Sequence, residues 1–426
     1  MNRRKFAKAA AACAVAAFSL LFSGCSLFRA PSGVGRGDVT SSADIDTRET
    51  TVSSAEPVTG TTERDTAPVP VTTEPPAAEK RLSVLAVGDN IIHEAVFTDA
   101  KNRAADGAEY DFVPMYSGVA ERIGQADVAF VNHETPLAGK EYGISGYPTF
   151  NAPREAAQAL VDVGFDVVNL ANNHILDKRV AGARATVEYV QSLPVTEIGV
   201  YLDREDADTL RITEINGIRV AWLSFCYGSN NPYDPAKDNI VMPLLDDDEA
   251  ITSAIAAAKR QADLVIVSAH WGVEYQNSPT DEQKRLASLM SEAGADVILG
   301  HHPHVIQPIE WLENSDGTRT LVAYSLGNFL STQHYATNMV GGMLTFEVVL
   351  DPSGACSVEN PVFRITVTHY SMNRDGLQIY MLEDYTDEMA SRHGCKLYTT
   401  DFSLAWIERY VKSVIDDSFL PPVFDS

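Results

Sequence analysis

Six apolar runs in this chain break off at side chains that ligate metals or carry protons. LSVLAVGD ends on Asp89, VAFVNHE on Glu134, DVVNLANNH on His174, DLVIVSAH on His270 and DVILGHHPH on His304, while LVAYSLGNF reaches Asn328. A short apolar run bounded by polar residues reads as a buried strand. In open α/β sheets, ligands bind at the carboxyl edges of such strands. The repeated form therefore predicts an α/β domain with one site assembled along a sheet edge.

Between these runs, helical periodicity covers residues 154–163, 180–192, 247–261 and 280–293, and the last opens on Thr280 and Gln283 as a capping box. Alternation of strands and helices implies an α/β core. Asn216-Gly217 between two apolar runs is a hairpin signal, and the runs after residue 341 look antiparallel, so the sheets are mixed. A closing helix is expected over residues 404–415, and the polar stretches 139–148 and 227–238 are long enough to cover a site.

The N-terminal part differs in kind. Arg3, Arg4, Lys5 and Lys8, an apolar run over residues 9–22, and Ser23-Gly24 before Cys25 have the layout of a secretory signal. Cys25 is the expected lipidation site, giving an extracytoplasmic protein anchored to the outer face of the bacterial cytoplasmic membrane. The following Thr, Ser and Pro-rich stretch has too little apolar surface to offset its ordering entropy, and is expected to be a disordered tether. The expected organisation is residues 1–25 as signal, 26–80 as tether, 81–350 as the folded domain, and 351–426 as strands and a helix packed on it. Of the five cysteines, Cys226 reads as a small buried residue, and the sequence leaves open whether Cys356 and Cys395 pair. A formal charge of −25 argues against nucleic acid as a partner, since phosphate backbones call for a basic face.

Seven of the ten histidines fall in or beside the strand ends. Anionic oxygens and neutral imidazoles converging from several segments are what a metal site requires. The order Asp89, Glu134, Asn173-His174, His270, then His302-Pro303-His304 resembles the calcineurin-like metallophosphoesterases. The wording VGDNIIH, NHETPL, NLANNHILD, HWGVEY, GHHPHVIQPIE and YSLGNFL is similar to the capsule-synthesis CapA family within that superfamily, over residues 82–330. The resemblance implies a four-layer α/β/β/α sandwich with mixed sheets. It also implies one or two divalent cations (Mn, Fe or Zn) held by Asp89, Glu134, Asn173, His270, His302 and His304. His174 would act as the catalytic acid or oxyanion stabiliser. His93, Glu274, Tyr275 and Asn328 would line or support the substrate site.

The chain departs from the superfamily pattern at Asp89-Asn90-Ile91, where an Asp-x-His is usual, and carries Glu134 where an Asp is usual. Plainer readings exist as well: Asp89 as a helix cap, Asn173 as a turn residue, Glu274 and Tyr275 as solvated loop, and His93, His133, His301 and Trp271 as packing residues. Three functions follow. The leading one is a metal-dependent hydrolase or transferase acting on an anionic cell-surface polymer, with poly-γ-glutamate the polymer the resemblance implies. The second is a non-catalytic binding or export factor beside membrane synthase subunits. The third is a general phosphatase or nucleotidase.

Overall fold

The structure, a computed structural model, describes residues 78–105 and 107–422. The expected signal, the lipidation site Cys25 and nearly all of the tether lie outside the described residues. The chain builds one sheet, leaves it to build a second, and returns. Strands β1 (Lys80–Asn90), β2 (Val128–His133), β3 (Val167–Asn169) and β4 (Thr196–Ile198) pair in parallel in that order. The second sheet takes β5 (Arg211–Ile215), β6 (Ile218–Cys226), β7 (Leu264–His270), β8 (Val297–His301), β9 (Ile309–Glu313) and β10 (Arg319–Ala323), in the order β5-β6-β7-β8-β10-β9. The chain then rejoins the first sheet through β11 (Asn328–Leu330), β12 (Val340–Leu350), β13 (Cys356–His369) and β14 (Gln378–Met381). β11 runs parallel to β1, whereas β12, β13 and β14 are antiparallel to their neighbours. Both sheets are mixed. The strands after residue 350 complete the first sheet, with β13 hydrogen-bonded along the length of β12.

Side-chain alternation along the second sheet sets the layers. Val220, Trp222, Leu264 and Ile266 join the larger core cluster together with Val84, Ala86 and Phe130 of the first sheet. Phe130 and Trp222 stack across the interface with ring centroids 6.0 Å apart. The alternate residues Ala221, Leu223, Val265 and Val267 pack instead against Ile251, Ile255, Leu286 and Met290 of the helices Asp248–Lys259 and Asp281–Glu292. Helices Glu155–Val163 and Arg179–Gln191 bury Leu160, Val163, Val187 and Val190 with the first sheet. The result is the expected α/β/β/α sandwich.

Local signals act as expected at two places. Thr280 and Gln283 cap each other at the start of their helix. Asn216 and Gly217 both take positive φ (53° and 74°), the geometry a tight two-residue hairpin demands. One expectation is corrected. LVAYSLGNF is not a single strand: β10 ends at Ala323 in the second sheet, and β11 begins at Asn328 in the first. Gly327, at φ 68°, turns the chain between the two sheets. A single apolar run conceals that switch because both strands are fully buried apart from the first residue of β10. Cys226, Cys356 and Cys395 are free thiols, so the possible Cys356–Cys395 bridge does not form.

Candidate metal centre

The carboxyl ends of β1, β2, β7 and β8, with the turns after them, meet along one edge where the two sheets face each other. Asp89, Glu134, His270, His301, His302 and His304 are all at least nine-tenths buried there. Ligand atoms of Glu134, His302 and His304 lie within 4.8 Å of one another. His270 stands at the margin of this group, its Nε2 3.8 Å from Glu134 Oε1 and 3.0 Å from Asn173 Oδ1. Asn173 in turn donates to Asn230 Oδ1 (3.4 Å) from the loop after β6. Asp89 is turned toward the imidazoles: its Oδ2 is 2.9 Å from His304 Nδ1, and its Oδ1 accepts from Asn132 Nδ2 (2.8 Å) and lies 3.5 Å from His301 Nδ1. A carboxylate on the far nitrogen of a ligand histidine fixes its tautomer and aims the other nitrogen. His304 Nε2 accordingly faces Glu134 Oε1 at 3.7 Å. Positive φ at His302 (97°) and His304 (58°) shows that the backbone itself is bent to bring both rings in.

Both carboxylate oxygens of Glu134, together with Nδ1 of His270 and Nδ1 of His302, are buried without a hydrogen-bond partner among the described residues. An unpaired buried carboxylate is costly. Burial, then the Asp89 and Glu274 charges, push the Glu134 carboxyl well above its ordinary pKa. Burial first, and then His304, lower His302 to about 3, while burial and His302 hold His270 well below the usual imidazole range. For Asp89, burial pushes upward, but the nearby His301 ring and the His304 hydrogen bond outweigh it and hold its pKa below the ordinary carboxylate range. Neutral imidazoles around an unsatisfied carboxylate form a donor set that fits a divalent cation.

His174 lies beside this group. Its Nδ1 is 2.8 Å from Asp177 Oδ2, its main-chain N donates to Asn172 Oδ1 (2.9 Å), and its ring meets Phe150 edge-on at 4.7 Å. A cavity of about 440 Å³ opens over these residues, lined by Glu134, His174 and His304 and also by His93, Glu274 and Tyr275. His93 lies in the cavity wall and outside the close ligand group; its Nδ1 accepts from the main-chain N of Thr332 (3.3 Å). Burial, followed by His304 and His174, lowers its pKa to about 3. Tyr275 takes φ 65° and accepts from Gln333 Nε2 (3.4 Å). Of the four residues expected to line or support the substrate site, Asn328 is the one that does not reach the cavity. It is buried one step behind, where its Nδ2 donates to Ser331 Oγ, Gln333 Oε1 and Asn338 O, tying down the segment that forms the wall.

Several neighbours were not foreseen as site residues. Asp177 follows His174 by three positions, a spacing that can be read in NNHILD. Tyr227 stacks on His270 and meets His302 at a tilt, with centroids 6.1 and 4.7 Å away, and Asn230 reaches His174 Nδ1 (3.4 Å). Both belong to the loop expected to cover the site, but nothing in its sequence singles them out. His301 packs on Phe130 (5.7 Å) in addition to its approach to Asp89. Trp271 is a core residue, donating from Nε1 to Tyr324 O (2.9 Å).

The family model described as bacterial capsule synthesis protein PGA_cap matches residues 83–333. The PGA biosynthesis protein CapA of Bacillus subtilis (strain 168) is 34% identical over 300 residues, which cover 70% of this chain and 75% of that protein. The capsule biosynthesis protein CapA of Bacillus anthracis is 32% identical over 201 residues, covering 46% of this chain and 48% of that protein. Among solved structures, the calcineurin-like phosphoesterase YfkN from Bacillus subtilis is similar at a TM-score of 0.41 and 13% identity, across 78% of this chain and 99% of that one.

Proposed function

The chain belongs to the bacterial capsule synthesis protein family PGA_cap, and from that premise we propose that it is an extracytoplasmic, metal-dependent hydrolase or transferase acting on an anionic capsule polymer of the poly-γ-glutamate type. The observation that carries this reading is the pair of orphaned Glu134 oxygens facing His302 and His304 beneath an open cavity. Glu134, His302 and His304 would hold the cation, with His270 and Asn173 at its margin and Asp89 fixing His304. A divalent cation there supplies Lewis-acid polarisation of a carboxyl or phosphoryl oxygen. The chain's own contribution is proton handling. With Nδ1 of His174 engaged by Asp177, Nε2 is the atom left to exchange a proton with a leaving oxygen. Phe150 and Asp177 hold the ring, so this costs little reorganisation.

The basic and apolar N-terminus supports export, and Cys25 supports a lipid anchor beside membrane synthase subunits. A second reading, a non-catalytic polymer-binding or assembly factor, draws support from the orientation of Asp89, which is spent on His304 and leaves a close ligand group of three.

Elemental analysis of the purified protein tests the first reading. Wild type is expected to carry about one or two equivalents of Mn, Fe or Zn, and His304→Ala to lose them with its circular dichroism unchanged. No bound cation in wild type, even after Mn or Zn is added, would sink the hydrolase reading and leave the assembly role.

A further inference from the structure

The cavity that opens on the metal centre also contains a cation the chemistry above does not use. Among its described lining residues Arg374 is the one lysine or arginine, and it shares the wall with Gln333, His334 and Tyr335. Its Nη2 lies 2.6 Å from His334 Nδ1. Burial, and then the Arg374 charge, lower the His334 pKa, so the ring is a neutral acceptor. No carboxylate among the described residues pairs with this guanidinium. In a chain of net charge −25, an arginine facing a cavity without an acidic partner is conspicuous.

Its position is well braced. Arg374 sits in the turn between β13 and β14 at φ 60°, where its main-chain N donates to Ser371 O (2.8 Å). Ser371 is bonded to Asp375 through both its main chain and its hydroxyl. The next two residues, Gly376 and Leu377, donate their N–H groups to the Asp99 carboxylate at 3.1 and 3.0 Å. His334 is fixed from the other side by stacking on Tyr398, with centroids 4.9 Å apart. Acceptor and guanidinium are therefore both positioned before any ligand arrives.

We propose that Arg374, oriented by His334, is an anion subsite that takes a second carboxylate of a ligand whose first anionic group sits at the Glu134–His302–His304 centre. The inference rests on the metal-dependent reading and deepens it: the ligand is a chain with carboxylates at intervals, not a single small anion. A planar guanidinium is suited to paired hydrogen bonds with a carboxylate. Arg374 lies on the hairpin that follows the family-matched stretch, so this hairpin would set which polymer the common centre receives.

Calorimetric titration of the purified, Mn-loaded full chain tests this, with a γ-linked glutamate tetramer and inorganic phosphate as probes. Arg374→Gln is expected to weaken tetramer binding by ~10-fold to ~100-fold, leaving phosphate affinity and Mn content at wild-type values. Arg374→Lys should recover part of the loss. Equal tetramer affinity in wild type and Arg374→Gln would overturn the subsite while leaving the metal reading intact. A wild type that holds Mn but binds neither probe would remove the functional reading, and the subsite with it. A glycerol-phosphate oligomer bound as tightly as the tetramer, with equal dependence on Arg374, would overturn the assignment to carboxylates.

Discussion

A carboxylate one turn away decides what the His174 imidazole can do. Asp177 fixes Nδ1 at 2.8 Å, and its Oδ2 also accepts from the main-chain N of Phe150 (2.8 Å), so ring and cavity wall share one anchor. Asp177→Asn should keep the metal and the fold but lower turnover of a chromogenic phosphate or γ-glutamyl ester by about 100-fold or more, because an amide no longer enforces the tautomer. Unchanged turnover with unchanged metal content would count against His174 as the proton carrier. At this scale the sequence was readable wherever a residue's meaning is local. Asp89, Glu134, His270, His302 and His304 each lie at or just after the carboxyl end of a strand, and strand ends are marked by where an apolar run stops. Arg374 has no such mark. Its environment is made by a hairpin turn meeting residues 333–335, and no pattern near position 374 encodes that meeting.

Elements show the same division between local and long-range information. The strands were legible because burial on both faces requires continuous apolar runs, and the hairpin was legible because its turn needs residues that accept positive φ. The switch at Gly327 was not, since it depends on how closely the backbones of different strands approach. A Cβ on Gly88 would lie 1.9 Å from Gly327 O, and one on Gly341 would lie 2.0 Å from Asn328 O. Gly88→Ala therefore has to push apart the crossing directly beneath Asp89. It should cost about 3 kcal/mol and lower metal affinity as well, as chemical denaturation and cation titration would read. Gly124 offers the contrast, exposed within the helix Ala120–Gln125 with nothing within 4 Å of its missing Cβ. Gly124→Ala should stabilise by roughly 0.5–1 kcal/mol. If both substitutions shift the denaturation midpoint alike, the close-packed crossing is not what limits position 88.

For the molecule as a whole, the two sheets are also joined at their edges by a buried glutamate and a partly exposed arginine. Glu197 on β4 accepts from Gln191 Nε2 (3.2 Å) and lies 3.9 Å from Arg211 Nη2 on β5, whose charge is already shared with Asp206. Burial dominates and raises the Glu197 pKa to about 8, with Gln191 and Arg211 only partly opposing it. Because the folded value exceeds the unfolded one, this contribution to stability is complete below the ordinary carboxylate range and disappears as pH rises through about 8. Wild-type Tm should therefore fall relative to Glu197→Gln between about pH 5 and about pH 9, and parallel curves would refute the assignment. The path of the chain, out of the first sheet and back again, has a further consequence for when a cation could meet these donors. Glu134 belongs to the first sheet, while His302 and His304 follow β8 of the second, and the wall over them is tied down by β11 to β14. A cation held by Glu134, His302 and His304 would therefore bind only once strands of both sheets have come together. Since affinity alone favours some divalent metals over others regardless of need, the ions present where the two sheets close would then choose which metal these residues take.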